Sequence, residues 1–584
     1  VARTRVAQVF HATVSGYLRA LSPTSRRFWV LVPVVGALAG IAAVGSIHLL
    51  ALLERLAWGH QEGAGSLLEA ARAVSPARRF MVPVVGGLIL VAVSLVQRGN
   101  GAHGTSAILE AIWVRGGRVQ LRRATPSAIL TLVAVSLGAS MGREGALLMF
   151  GAAAGSALAR RARLSPDQHK LLVAAGTAAG FAAAYNTPIG AALFGLEVLL
   201  GGLALELLGP LIFASITATL ISRALLYDHP SYQIPVYGLI RPREIVVYLA
   251  LGVVVGLLAA LLVWTVDTAN RVAARLPARA RPLLPLVAMT LVGAVGVAYP
   301  ELFGNGYYTV NDALVERVPL AMLVTLPVLK LALSSICSGF RVPGGLFTPT
   351  MFIGGLFGGA YGVLLARLFP HTVGPSGGYV LVGMAAALAG STHASLAAAI
   401  LLFELTGNYS LILPLLGASV LAATVSRRLV PESIYTAPLE RRGLSLPRLP
   451  RPPWMHEAGV RALVRAHPAT VPPGAPVDEL ALKLAALPDG EPLFVVDDAG
   501  RLRGAIRPAA IGAAIADQPD LSLVVAADLA EPVPTLSVDA SLWDATRRAL
   551  RGGVERLAVI SPREGHRFIG TIAASDVLDR ARRE

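Results

Sequence analysis

Charge is scarce in this chain and cysteine almost absent. A single cysteine, Cys337, among 584 residues excludes an intrachain disulfide and any CxxC metal site, and reads as a small packed residue. Charged residues make up 15% and aromatics 6%, too little polar surface for a soluble multidomain protein of this length. The sequence holds no HExxH, no P-loop and no cluster of metal-ligand residues. No cleavable signal is visible either: residues 1 to 28 are basic and amphipathic, an expected cytosolic interfacial segment.

What is abundant is apolar sequence. Hydrophobic residues reach 54% and the mean hydropathy is +0.63. Apolar stretches near 29–58, 80–97, 125–139, 169–225, 243–265, 281–298, 319–336 and 346–425 approach or exceed the ~20 residues of one spanning helix. Pro188, Pro210, Pro349 and Pro414 divide the longest of them into several helices. The formal charge of +16 gathers at segment ends, in Arg3, Arg5, Arg19, Arg26 and Arg27 and again in Arg160, Arg161 and Arg163. That pattern predicts cytosolic loops by the positive-inside rule rather than a nucleic-acid binder.

The expected organisation is an N-terminal segment (1–28), a membrane domain (29–441), a linker (442–458) and a soluble tail (459–584). The linker follows from "RRGLSLPRLPRPPWMHE", rich in proline and arginine. In the tail, "EPLFVVDDAGRLRGAI" and "ERLAVISPREGHRFIGTIAASDVLD" each read as strand, turn and strand, so a paired α/β module is predicted.

Within the membrane domain, glycines and prolines interrupt apolar segments in both halves, at "GAHGTSAILEAI" and "GREGALL" and at "PGGLFTPTMFIGG". Paired interruptions point to an inverted repeat with its site at the midplane. A helix that starts inside the bilayer leaves its first N–H groups unpaired and carries about half a positive charge there. Such ends attract anions, and Gly104, Gly142, Gly145, Gly344 and Gly345 allow close approach of a ligand to the backbone. Glu144 then stands where an anion would bind, a built-in competitor and gate; the alternative is an N-terminal acid paired with Arg143. Arg143 is expected to organise its loop through carbonyl hydrogen bonds.

These residues resemble the CLC family of chloride channels and chloride/proton exchangers. "GREGALLMFGAAAGS" is similar to the family's GREGP segment, "GGLFTP" to its GxFxP segment and "IYTAPLERRG" to the helix bearing its pore tyrosine. Family blocks match in order over roughly 30–441, and the tail resembles paired CBS domains. The fold implied is an all-α polytopic membrane protein, a CLC-type inverted repeat of broken, tilted helices, followed by a soluble α/β CBS pair. The resemblance implies a homodimer in a plasma (cell inner) membrane with both termini cytosolic, each subunit carrying its own anion path. It places the central ion on the N–H groups of Leu346 and Phe347 and the hydroxyl of Tyr435. An outer site would use the N–H groups of Arg143, Glu144, Gly145 and Ala146, closed by the Glu144 side chain. Chloride is the expected bound ion, no cofactor is required, and no nucleic-acid partner is expected.

Two departures bear on function. Where the family commonly has GSGIP, this chain reads "AHGTS", with His103 in the serine position and Ser106 in the proline position. His103 either donates to or titrates beside the anion, next to Gly104, or turns away and leaves binding to the backbone. Second, Val198 follows Glu197 where exchangers typically place a proton-collecting glutamate. That favours a channel or weakly coupled transporter over a chloride/proton antiporter with another inner proton route. The retained Phe347 and Tyr435 argue against a fluoride exchanger.

Other readings carry less weight. "GASMG" fits G-x-S-x-G with Ser140 as nucleophile and His103 or His393 as partner, but an apolar helix lacks the strand-turn-helix context that motif needs, so no enzyme is expected. In the tail, Thr571 and Asp576 resemble a CBS adenosine-nucleotide motif, while the first copy has Ala509 where an acid is expected; the alternative is a tail that only stiffens the dimer. Glu404 is read as a cap on a helix start, and Lys330 as raising the potential at the cytosolic mouth or snorkelling.

Overall fold

A computed structural model describes residues 23–59, 67–96, 104–202, 207–226, 235, 237, 242–369, 373–407, 409–442, 444, 459–465, 468–487, 491–508, 510–511, 524–542, 544–545, 548, 556–562, 567–573 and 575–577. His103, Ala509, most of the segment 1–28 and nearly all of the linker 442–458 lie outside these. The chain divides into two compact units at 448/449.

The first unit is helical. Its first half holds α1 (Pro23–Trp58), α2 (Leu67–Ala73), α3 (Pro76–Val96), α4 (Gly104–Trp113), α5 (Leu121–Ser136), α6 (Glu144–Arg161), α7 (Pro166–Tyr185), α8 (Pro188–Phe194) and α9 (Leu208–Leu225). Its second half holds α10 (Glu244–Arg275), α11 (Leu284–Ala298), α12 (Tyr307–Leu314), α13 (Leu320–Gly339), α14 (Phe347–Leu368), α15 (Ser376–Thr392), α16 (Ser395–Thr406), α17 (Ile412–Leu429) and α18 (Ala437–Glu440). Among the described residues, eight helices are long and apolar enough to cross a membrane. Large side chains such as Phe213, Leu220, Val246, Trp264 and Val328 are exposed, as expected of surfaces that meet lipid. The stretch 125–139 becomes α5, shorter than a full span, because Gly138 at φ +94° turns the chain after it.

The halves repeat one another contact by contact. α7 and α15 both end in a residue at φ 61°, Asn186 and His393. α9 reads "LGPLIFASITATLISRAL" and α17 "ILPLLGASVLAATVSRRL". Gly36 and Gly40 of α1 lie against Ala214 and Ala218 of α9, as Gly252 and Gly256 of α10 lie against Ala418 and Ala422 of α17. Gly151 of α6 meets Gly176 of α7 backbone to backbone, as Gly354 of α14 meets Gly383 of α15. Small residues permit this approach, and in lipid close packing replaces the hydrophobic drive between helices.

Orientation follows from two carboxylates. Glu197, in a π turn (Gly195–Leu199) at the end of α8, accepts from Ala397 N–H at the start of α16, at 2.6 Å. Glu404, near the end of α16, accepts from Ile189 and Gly190 N–H at the start of α8, at 3.0 and 2.6 Å. Each helix therefore caps its equivalent, which requires the two to run antiparallel. The halves are inverted repeats about an axis between them.

The second unit contains two three-stranded sheets of one topology. β1 (Thr470–Val471) pairs parallel with β2 (Leu493–Val496), which pairs antiparallel with β3 (Leu502–Ile506). β4 (Thr535–Ser537), β5 (Arg556–Ser561) and β6 (Arg567–Ala573) repeat that order, with a register shift at Val559/Ile560 to match Val495/Val496. Phe494 of one sheet packs on Phe568 of the other at 5.1 Å between ring centroids. In the first hairpin turn, Asp497 takes Arg501 N–H at 2.8 Å and the Arg501 and Arg503 guanidinia at 3.0 and 3.1 Å. Chiefly the Arg501 backbone N–H, and then these guanidinia, hold its carboxyl below the usual range.

Two outcomes follow for stability. Gly151→Val would drive a side chain into the Gly176 carbonyl, so a loss of about 1–3 kcal/mol or more is expected, read as a lower melting temperature in detergent. Asp497→Asn should lower melting of the second unit at neutral pH. Because a depressed carboxyl stabilises above its unfolded value, the difference should vanish as pH falls through the folded one.

Candidate functional site

Three helix starts meet at the axis between the halves. The chain enters α4 through Gly104 at φ +65°, a conformation that favours glycine. It enters α6 and α14 after Gly142 and Gly345, which form a reciprocal antiparallel bridge with N–H to carbonyl distances of 2.8 and 2.7 Å. A Cβ on Gly145 would lie 3.6 Å from Gly104 Cα and from backbone atoms of Gly344 and Gly345, so all three loops converge there. A side chain at Gly142 or Gly345 would strike the Glu144 carboxylate. Glycine is needed at both because the carboxylate packs directly on the bridge.

Glu144 is buried, with 2% of its surface exposed. Its Oε1 accepts from the hydroxyls of Tyr185, at the end of α7, and Thr348, in the first turn of α14, which lie 3.0 Å from each other. Backbone N–H groups of Glu144 and Thr348 also favour its charge. Oε2 has no partner among the described residues. A buried carboxylate satisfied on one oxygen alone is costly, the signature of a group that is not there for stability. Around it Phe181 and Phe194 stack at 5.0 Å, and Phe347 meets Phe181 edge-on at 4.8 Å and Tyr185 at 5.6 Å.

Arg143, half-buried, sets its charge against both Glu144 and Glu54 of α1, with Tyr307 and Tyr308 in the same field. Its charge thus lies within reach of two carboxylates. Ala146 N–H donates to Arg143 C=O at 3.1 Å, so it is engaged within its own turn rather than open to a ligand as expected; only the N–H groups before it in α6 lack that turn's bond.

Beyond Phe347, Tyr435 is 6% exposed and meets Phe194 edge-on at 6.2 Å. Thr105 hydrogen-bonds its side chain, and Ser106 Oγ donates to its carbonyl at 2.9 Å. A cavity of about 440 Å³ opens here, lined among others by Gly104, Gly344, Leu346, Tyr435, Arg341 and Arg441. At ~30 Å³ per water this is the volume of about fifteen molecules, room for a hydrated ion. Arg441 pairs with Asp267 at 3.0 Å and Arg442 with Glu110 at 2.8 Å, fastening α18 to α10 and α4. Gly104, Leu346 and Tyr435 thus line one cavity; Glu144 and Phe347 stand next to it.

Other candidates fall elsewhere. Val198 is half-buried in the π turn beside Glu197. Glu404 is the helix cap expected of it. Lys330 corrects the expectation of a mouth or snorkelling residue: it is fully buried, and its Nζ donates to Leu302 and Gly304 carbonyls at 3.1 and 2.7 Å, with the Phe352 ring centroid at 5.2 Å. The Ser140 hydroxyl has no hydrogen-bond partner among the described residues. Cys337 is buried and free. In the second unit, Thr571 is buried and receives the Arg556 guanidinium at 3.3 Å, while Asp576 pairs with Arg465 at 2.8 Å. A ribose would first have to displace Arg465 from Asp576; that pair is surface-exposed and weak. Tyr185 and Thr348 went unread in the sequence, although both hydroxyls sit at the ends of interrupted helices, in "AAYNTP" and "GGLFTP".

Comparison with known proteins agrees with this geometry. The family model described as voltage gated chloride channel matches residues 85–427, and the CBS domain model matches 525–583, the second of the two sheet repeats. The chain is similar to a putative ClcB-like chloride channel protein of Ralstonia nicotianae, 32% identical over 427 residues, covering 72% of this chain and 99% of that one. It is also similar to the voltage-gated ClC-type chloride channel ClcB of Escherichia coli (strain K12 / DH10B), 34% identical over 414 residues, covering 70% and 97%. Among solved structures, a slow cyanobacterial Cl−/H+ antiporter shares the fold with a TM-score of 0.64 at 22% identity, covering 72% of this chain and 98% of its own. A eukaryotic CLC transporter does so at 0.63 and 19%, covering 94% and 98%. An inverted repeat built on broken helices, a buried glutamate at their junction and these matches lead to one assignment: the chain is an integral membrane protein belonging to the voltage-gated chloride channel (CLC) family and carrying a C-terminal CBS domain.

Proposed function

We propose that this protein conducts small inorganic anions, chloride foremost, across a lipid bilayer, with Glu144 as the gate. The observation that carries this reading is a buried carboxylate at the junction of three interrupted helices, beside a cavity lined by Tyr435 and the starts of α4 and α14. A hydrated anion enters the cavity, drawn by Arg341 and its neighbours, and exchanges water for Tyr435 and the N–H groups of Leu346 and Phe347. Helix ends carry partial rather than full charge, so the ion is held without being trapped. Glu144, with the backbone of Arg143 and Gly145, closes the far side, and displacement of its side chain opens the path.

Val198 in place of a carboxylate supports channel-like or weakly proton-coupled transport. An antiporter reading would need a non-standard inner proton path, by water or His103, because Val198 carries no proton. We further propose a homodimer in the plasma (cell inner) membrane with cytosolic termini, no enzymatic activity and no cofactor. An adenosine nucleotide remains the candidate ligand of the CBS unit, at the cost of the Arg465–Asp576 pair.

In liposomes the purified protein should release chloride without driving protons uphill, followed by recording external chloride and internal pH together. Glu144→Gln should change the flux by roughly tenfold, or about 1.4 kcal/mol in barrier. An anion gradient that drives protons at a fixed ratio would establish the antiporter instead. Millimolar ATP should raise the melting temperature of the second unit in the full chain if the nucleotide reading holds, and Asp576→Ala should abolish that shift.

A further inference from the structure

The stretch that carries Tyr435 has little structure of its own to hold it. α18 (Ala437–Glu440) is a single turn, too short to be stable by itself, so the place of the Tyr435 hydroxyl depends on what fastens the segment at each end. Resting on the reading that this protein conducts anions, we propose that Glu110 of α4 is a positioning residue of the path: acting through Arg442, it fixes where the Tyr435 hydroxyl stands in the cavity and so sets which anions pass.

Ser106 and Glu110 are four residues apart and share one face of α4. They take the two ends of one segment. Ser106 Oγ donates to the Tyr435 carbonyl at 2.9 Å, and the Arg442 guanidinium donates to Glu110 Oε2 at 2.8 Å. α18 is thereby laid along α4, with Thr105 hydrogen-bonded to the Tyr435 side chain beside the first of these contacts. Ile434 N–H, bonded to Ser391 C=O at 2.9 Å, fixes the entry from α15. Charge points to the same role. Glu110 Oε1 takes the guanidinium of Arg115, just beyond α4. Asp267 of α10 is shared in the same manner, by Arg271 at 3.1 Å and Arg441 at 3.0 Å. Each carboxylate thus joins one arginine of its own stretch to one that follows α18, and the segment is stapled between two walls of the cavity. Two arginines to one carboxylate leave a positive balance at each staple, so fastening Tyr435 sets no net negative charge against an approaching anion. Of the two staples Glu110 is the firmer: its side chain is 8% exposed against 24% for Asp267, and solvent screens it less.

Efflux of chloride and of nitrate from liposomes holding the full-length protein, expressed as a ratio of rates, tests this. Glu110→Gln and Arg442→Gln should each change the ratio by roughly threefold, the equivalent of one ordinary hydrogen bond at the ion. The double variant should change it no more than either alone, because both remove the same pair. In a Tyr435→Phe background, where no hydroxyl remains to be positioned, Glu110→Gln should leave the ratio as it is. A role in stability alone would lower the melting temperature without moving the ratio, and a role in charge alone would move both rates together and fade with added salt. Either outcome overturns the proposal, as does a shift that persists without the Tyr435 hydroxyl. Should Glu110→Gln fail to fold, Arg442→Gln reads the same pair from a side chain that is 40% exposed. Chloride efflux by the unmutated chain, run in parallel, separates the two readings: efflux with an unmoved ratio sinks only the positioning role, whereas no efflux sinks the transport function.

Discussion

A helix that begins within a bilayer must find partners for its first N–H groups inside the protein, and this fold is arranged around that requirement. Water is not available to satisfy them and lipid offers no acceptor. The repeat supplies the answer by placing equivalent helix starts face to face. Gly142 and Gly345 exchange two hydrogen bonds, and Glu197 and Glu404 each cap the other's helix. Each half thus completes the other. The N–H groups of α6 and α14 just past the bridge are left for an anion, or for a carboxylate that imitates one.

Much of this was legible in the sequence because glycine and proline break apolar runs in a way no other residues do. "GREG" and "PGGLF" mark where α6 and α14 start, and an acid in such a run has few structural explanations. Contacts made between distant segments were harder to read. Tyr185 reaches Glu144 across 41 residues and Thr348 across 204, and neither hydroxyl differs in sequence from one that caps a turn. Lys330 shows the opposite error. Its flanks suggested a charge reaching for water, yet the cage of Leu302 and Gly304 carbonyls that receives it belongs to another loop altogether. Glu404 was readable as a cap; that it is one of a pair was not, because the reciprocity depends on the antiparallel packing of α8 and α16.

The second unit repeats the lesson on a smaller scale. Apolar runs on either side of a turn identified both hairpins, and the matching register shifts at Val495/Val496 and Val559/Ile560 place them as copies. What patterning could not convey is that Thr571 and Asp576 are already engaged by Arg556 and Arg465. A motif gives residue identity; whether its atoms are free depends on basic residues far away in the chain.

The reciprocal caps also have a kinetic meaning. With α8 and α16 each holding the other's first turn, and α6 tied to α14 by the glycine bridge, the helices that frame the path form a closed brace. Sliding α8 or α16 would break hydrogen bonds at both ends at once. Glu144, by contrast, hangs from Oε1 alone, so the cheapest opening motion is a rotation about its own side-chain bonds. If Glu144 is the gate we propose, it would work as a turnstile in a fixed frame, at the pace of rotamer exchange rather than of domain rearrangement.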